Sequence, residues 1–395
     1  MYKDLTNEEL EKRLTGFKGM MGRLCPDWDT AIFMSKVNQY YFTGTMQDGM
    51  LMIRRDGATY FVRRSYERAR DESPFSPVIQ MDSYRDAAGH MGGECGNTFI
   101  EAEIVTVGIM ERLKKYFTMA AVNPLDKVIA SVRSIKSPYE LEWTEKSGKQ
   151  HEYVLKEAVP AMLREGISEA EFVAALFSEM VKAGHQGINR FSMFQNELSI
   201  GQIGFGESSL YPMSFDGPGG GYGMSPSAPL LGSRDRKLKK GDLVFVDIGF
   251  GMNGYHTDKT QVYMFGAKPA EEIIQAHRKC IQVQSRTAEM LKPGAIPSEI
   301  YSTVTGELDS GFLQNFMGFG NRQAKFLGHG VGLYIDELPV IAKGFNEPIA
   351  ENMVISLEPK KGISGAGMVG VEDTYIVTAG GAKCVTGGGT DIIAV

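Results

Sequence analysis

Cysteine, histidine and tryptophan are scarce in this 395-residue chain, at four, six and two residues. The cysteines, Cys25, Cys95, Cys280 and Cys384, are scattered with no Cys-x-x-Cys pair. That excludes a disulfide framework and predicts reduced, structural thiols in a cytoplasmic protein. No run of about 18 apolar residues is present to cross a membrane. The opening segment MYKDLTNEELEKRL is charged throughout and lacks the apolar centre of a secretory leader. A basic excess is missing as well: 42 lysines and arginines face 48 acids, for a net charge of −6. This balance speaks against a nucleic-acid partner. The GPGGGYG segment around Tyr222 lacks the Gly-Lys-Ser/Thr ending of a phosphate loop, so nucleotide binding is not expected there. Tyr222 is instead read as a pocket residue and substrate contact.

What the chain does have is length and an ordinary apolar share of 43%, enough for two cores. Thr6-Asn7-Glu8-Glu9 predicts a helix to about Met21, and DTAIFMS a buried strand. NQYYFTG follows as an aromatic loop or short helix, and Asp56-Gly57 reads as a hairpin turn. A strand over 99–104 and a helix over 107–115 complete an α/β domain over residues 1–130. Ser137-Pro138-Tyr139-Glu140 then opens a long helix to about Leu163, and Ser168 caps a helix ending near Gly184. Residues 189–240 read as irregular. After them come a hairpin over 242–265, helices near 270–290 and beyond Pro297, and strands near 352–358 and 369–377. Residues 131–395 are thus a mixed, largely antiparallel α+β domain.

The chemistry concentrates in acids that stand where a buried strand has no use for them. Asp247 ends the apolar run Leu-Val-Phe-Val, and Asp258 opens the next strand across a glycine-rich turn. Burying a carboxylate is costly unless a cation or several donors meet it. Two more acids have the same character, Glu358 in Val-Ile-Ser-Leu-Glu-Pro and Glu372 in Val-Gly-Val-Glu-Asp-Thr. His329 lies in Gly-His-Gly, where the glycines permit close backbone and metal approach. Four carboxylates and one imidazole suit two divalent ions, and the oxygen-rich donor set favours manganese over a thiolate-type zinc site. His256, two residues before Asp258, shares its face of the strand and is read as a supporting or substrate-contacting group.

The motifs VDIG, YHTDKT, GHGVGL, SLEP and GVEDTYIVT, in this order, resemble the pita-bread metallopeptidase family of aminopeptidase P, prolidase and creatinase-like relatives. DTAIFMSKVNQYYFTG is similar to the start of that family's creatinase-type N-terminal domain, and IKSPYELEWTEKSGKQ to the start of its catalytic domain. The resemblance implies a pita-bread catalytic domain behind a smaller α/β domain. It also implies two divalent ions about 3.5 Å apart, manganese or cobalt, with zinc or iron as alternatives. Asp247, Asp258, His329, Glu358 and Glu372 would hold them, with Glu358 as proton shuttle. The implied activity is aminopeptidase P- or prolidase-like cleavage of a small Xaa-Pro peptide or amide by a hydroxide bridging the ions, in a cytoplasmic homodimer.

Two departures from that pattern bear on the substrate. The family's histidine seven residues after the metal-binding one is Asp336 here. The histidine expected before the first metal strand is absent, since none occurs between His185 and His256 and Pro229 is followed by two leucines. Asp336 is open to three readings: a relocated catalytic base, a clamp for a cationic substrate group, or a rim residue. The alternatives to peptide cleavage are a hydrolase or lyase of a small zwitterion, resembling ectoine hydrolase or dimethylsulfoniopropionate lyase, and a binding module whose catalysis has decayed.

Overall fold

The computed structural model describes residues 5–193, 196 and 198–395. Phe194, Gln195 and Glu197, within the stretch expected to be irregular, lie outside the described residues. The chain divides into two units, one up to Arg133 and one from Ser134.

In the first unit Thr6 caps the helix Asn7–Leu24, its side chain accepting from the Glu9 amide at 3.2 Å. Six strands follow: β1 (Thr30–Phe33), β2 (Asp48–Arg54), β3 (Ala58–Arg64), β4 (Val78–Gln80), β5 (Glu94–Ile100) and β6 (Thr118–Pro124). Their order in one sheet is β4-β3-β2-β1-β5-β6. Asp56-Gly57 turns β2 back on β3, while β5 lies parallel to β1 and β6. The aromatic segment is a helix, Lys36–Thr43, closed by Gly44 at φ 77. The strand expected over 99–104 lies earlier. The Glu101 carbonyl accepts from the amides of Ile104 and Val105, which turns the chain at that point. Its buried carboxylate accepts from the Ser35 amide at 2.7 Å and the Asn38 side chain at 2.6 Å.

The second unit opens with the helix Pro138–Tyr153, whose Ser137–Glu140 capping box matches the sequence expectation. The helical run expected to about Leu163 reaches Met162, though not as unbroken α-helix. A π turn, Val154–Ala158, intervenes before Val159–Met162, because Pro160 has no N–H to give to the carbonyl one turn earlier. Helices Glu169–Lys182, Glu271–Met290 and Pro297–Gly306 surround the sheets.

Strands β7 (Gly201–Phe205), β8 (Leu243–Met252) and β9 (Tyr255–Met264) are followed by a small hairpin of β10 (Gly318–Phe319) and β11 (Arg322–Gln323). Then come β12 (Phe326–Gly330), β13 (Glu337–Ala342), β14 (Val354–Leu357), β15 (Lys360–Ile363), β16 (Gly367–Gly370), β17 (Asp373–Thr378), β18 (Gly381–Cys384) and β19 (Ile393–Ala394). One sheet runs β19-β9-β8-β7, a second β13-β12-β14-β17-β18, and β15 pairs with β16. The pairings are antiparallel except β19 on β9. β7 is an element the sequence left inside an irregular stretch.

Alternation along β8 explains how an acid enters a buried strand. Val244, Val246, Ile248 and Phe250 pack with Phe172 and Leu176 in the helix-side core. Leu243 and Phe245 face the other way, toward Met368 and Val369, and Asp247 follows them on that face. The two sheets meet where the Thr260 amide donates to the Glu372 carbonyl at 3.2 Å. The strand expected over 369–377 is therefore broken, with Val371 and Glu372 standing between β16 and β17.

The glycines beside His329 serve strand packing. A Cβ on Gly328 would lie 2.1 Å from the Ser356 carbonyl oxygen, and one on Gly330 would lie 2.2 Å from that of Leu338. β12 is thus pressed between β14 and β13 at the point where it presents its histidine. Gly328→Ala should cost about 1–3 kcal/mol, the usual range for overpacking, read as a lower midpoint in urea denaturation. An unchanged midpoint would show that the strands separate freely and that the glycine has another purpose.

Candidate metal centre

β8 and β9 bring the first two acids together. Asp247 pairs with Thr260, and Gly249 with Asp258, so the two carboxylates are diagonal neighbours on one face. β12 supplies His329, the end of β14 supplies Glu358, and the break between β16 and β17 supplies Glu372. All five line one cavity of about 220 Å³. The His329 Nε2 stands 3.3 Å from Glu358 Oε1, 3.8 Å from Glu372 Oε1 and 4.0 Å from Asp258 Oδ2. Ligand atoms of Asp258, His329 and Glu372 all lie within 4.8 Å of one another.

His329, Glu372 and the backbone of Asp258 are held from behind. His329 Nδ1 lies 3.0 Å from the Gly330 carbonyl oxygen, which can only accept. That places the proton on Nδ1 and turns Nε2 toward the acids, as a metal-binding imidazole requires. Ser356 donates its hydroxyl to Glu372 Oε1 at 2.9 Å, and Thr260 donates to Oε2 at 3.1 Å. The Thr374 hydroxyl accepts from the Asp258 amide at 2.8 Å and donates to its carbonyl at 2.9 Å. One residue further along, Lys259 and Asp373 form a fully buried ion pair at 2.6 Å, also joined by the Thr386 hydroxyl. The residues after two of the acids thus tie β9 to β17.

A residue with no assigned part in the sequence reading stands among the acids. Lys360, at the start of β15, is wholly buried. Its Nζ donates to Asp247 Oδ2 at 2.9 Å, Glu358 Oε2 at 2.9 Å and Glu372 Oε2 at 2.7 Å. The available signal was spacing: Glu358-Pro359-Lys360 places two charges two residues apart in extended chain, hence on one side. Lys361 points away, donating to the Phe312 carbonyl at 2.9 Å.

Proton affinities follow from this crowding. Burial pushes the Asp247 carboxyl up to about 7; Lys360 pulls it down and Glu372 pushes it up. Burial, Glu372 and Asp247 raise Asp258 well above the carboxylate range. Burial alone would lower His329, but Glu358, Glu372 and Asp258 raise it to about 10. Burial would raise Glu358, and is outweighed by Lys360 and His329, which hold it below its ordinary value. A cluster that draws protons this strongly is a cluster short of cations. The oxygen-rich donors with one imidazole fit a divalent ion about Asp258, His329, Glu358 and Glu372.

The remaining sequence candidates fall differently. Asp336 lines the same cavity, with its carboxylate accepting from the Ser192 amide at 2.8 Å and hydroxyl at 2.9 Å. It thereby anchors Ser192, next to the cavity-lining Phe191. Burial raises its pKa, against the Ser192 hydrogen bonds that lower it. His256 does not reach the cavity. It is fully buried, with Nδ1 on the Gly332 carbonyl at 3.0 Å and Nε2 on Gln186 at 3.0 Å. Both ring nitrogens are engaged, and burial drives its pKa down to about 4. Tyr222 is exposed and packs edge-on against Tyr211, beside a different surface depression. The glycine-rich segment meets the cavity earlier, at Gly217.

Comparison with known proteins agrees with this architecture. Residues 142–379 match metallopeptidase family M24, and residues 26–135 match the creatinase/prolidase N-terminal domain. The chain is 29% identical over 359 residues to an Xaa-Pro dipeptidase of Pyrococcus furiosus, covering 90% of this chain and 92% of the relative. It is 27% identical over 363 residues to an Xaa-Pro dipeptidase of Pyrococcus horikoshii, covering 91% and 92%. The crystal structure of the prolidase from Pyrococcus horikoshii superposes with a TM-score of 0.78 at 25% identity, over 97% of this chain and 100% of that one. The fold is thus a creatinase-type α/β unit before a pita-bread unit.

The Lys259–Asp373 pair provides a test of how the acids are held. Lys259→Met leaves a buried carboxylate without its cation and should cost about 3–5 kcal/mol of unfolding free energy, measured in urea. A loss below about 1 kcal/mol, the value of an exposed pair, would contradict its role in joining β9 to β17.

Proposed function

Because the chain belongs to metallopeptidase family M24, we propose that it is a metal-dependent hydrolase releasing proline from Xaa-Pro dipeptides. The observation that carries this reading is the convergence of four carboxylates and a histidine on a small cavity with apolar walls. Phe191, Leu198, Ile200, Phe215, Ile335 and Val340 form those walls. A pyrrolidine ring suits these apolar walls. The volume of about 220 Å³ is below the roughly 300–1,000 Å³ of drug-sized pockets. That favours a dipeptide over a longer chain.

Asp258, His329, Glu358 and Glu372 would hold the ion, and their oxygen-rich set suits manganese or cobalt. The chemistry such an ion supplies when bound is polarisation of the scissile carbonyl and acidification of a water molecule. The protein's own part is positioning and proton transfer. Glu358 is held ionised by the Lys360 ammonium beside it and faces the cavity, so it can accept a proton from the attacking water. The same carboxyl then returns that proton to the leaving ring nitrogen. His329 is kept in one tautomer by the Gly330 carbonyl. Asp336 holds Ser192, next to the cavity-lining Phe191.

Proline release from a panel of Xaa-Pro dipeptides after manganese loading tests the reading. Turnover is expected, and Glu358→Gln should lower kcat by about 10²–10⁴-fold, the usual contribution of a proton shuttle, with metal still bound. Metal-loaded protein that releases no proline from any of them would refute the proposed substrate class.

A further inference from the structure

The two glutamates of the centre divide their oxygens between two cation positions. Glu358 Oε1 and Glu372 Oε1 face His329, at 3.3 Å and 3.8 Å. Glu358 Oε2 and Glu372 Oε2 face Lys360, at 2.9 Å and 2.7 Å. Asp258 completes the first set, with Oδ2 at 4.0 Å from His329, and Asp247 completes the second, with Oδ2 at 2.9 Å from Lys360. We propose that the Lys360 ammonium permanently fills the second of these positions, so that the centre binds one divalent ion per chain and uses lysine in place of another. This departs from the pair of ions that the sequence resemblance implies, and it rests on reading these acids as metal ligands.

Four features make the ammonium a resident. An ammonium has three hydrogens to donate, and here three carboxylates receive them. Lys360 is wholly buried, so leaving would mean giving up all three carboxylates while moving a charge through low-dielectric surroundings. Its backbone is also hemmed in. A Cβ on Gly370, opposite it in the hairpin, would lie 2.6 Å from the Lys360 Cα. The ammonium also sits 6.0 Å from the centroid of the Phe245 ring, in reach of the negative ring face. A second divalent ion on Asp247 and Glu372 would need the oxygens the ammonium occupies and would sit beside a positive charge. The ammonium leaves the first position open, because Nζ bonds the Oε2 atoms of both glutamates and their Oε1 atoms face His329.

The proposal is tested by counting metal in the whole protein. After manganese loading and removal of free ion, elemental analysis should give one manganese per wild-type chain. Lys360→Ala, which frees the oxygens and the space, should then bind two. Two ions in the wild type would overturn the proposal and leave the Xaa-Pro reading intact. No bound ion would overturn both readings. One ion in a folded Lys360→Ala protein would also overturn it, since something other than the ammonium would then exclude the second. If that variant does not fold, electron paramagnetic resonance of the wild type decides. The hyperfine-split signal of an isolated manganese(II) supports the proposal, and the spectrum of an exchange-coupled pair refutes it.

Discussion

Four carboxylates brought together out of water repel one another, and the second unit is organised around meeting that repulsion. Like charges about 4 Å apart repel by roughly 4 kcal/mol at an effective dielectric near 20. A few such pairs rival the roughly 5–15 kcal/mol by which a protein exceeds its unfolded state. The cluster therefore exists only with positive charge inside it. Lys360 supplies one such charge within the chain. The upward pressure on Asp247, Asp258 and His329 marks where another is wanted. That demand is the physical basis for a metal centre, since an ion displaces protons from ligands that bind them strongly.

The sheet architecture holds the acids in place against their repulsion. Alternation lets β8 bury Val246 and Ile248 on one face and present Asp247 on the other. On β9 and β17 the same alternation turns Lys259 and Asp373 into an ion pair beside the neighbouring Asp258 and Glu372. Thr374 clasps the Asp258 backbone through both its amide and its carbonyl. Tight contact of β12 with β14, possible because residue 328 is glycine, brings His329 to Glu358. Strand pairing thus places the candidate ligands, and hydrogen bonds from behind orient His329 and Glu372.

What could be read from the sequence followed a consistent physical line. Asp247, Asp258, Glu358 and Glu372 were visible because an acid inside an apolar strand needs a cation, and all four reach one cavity. Helix starts at Thr6, Ser137 and Ser168 were visible because capping is local. Lys360 was hidden because a Lys-Lys pair reads as solvent-facing; only the fold shows that one lysine turns inward and the other does not. His256 shares a strand with Asp258, yet the residues its ring meets, Gly332 and Gln186, lie outside the strands and beyond reach of local spacing. Tyr222 failed for a similar reason, as the glycine-rich segment meets the cavity at Gly217 and leaves the tyrosine outside. β7 escaped because its pairing partner, β8, lies some forty residues away.

The central claim is that a divalent ion and a lysine ammonium share one carboxylate cage. It is tested most directly by a crystal structure of the manganese-loaded protein with anomalous scattering. The account predicts one anomalous peak per chain, among Asp258, His329, Glu358 and Glu372, with the Lys360 Nζ still on Asp247 and Glu372. Two peaks, or one peak at Asp247 with Lys360 swung out of the cage, would contradict it.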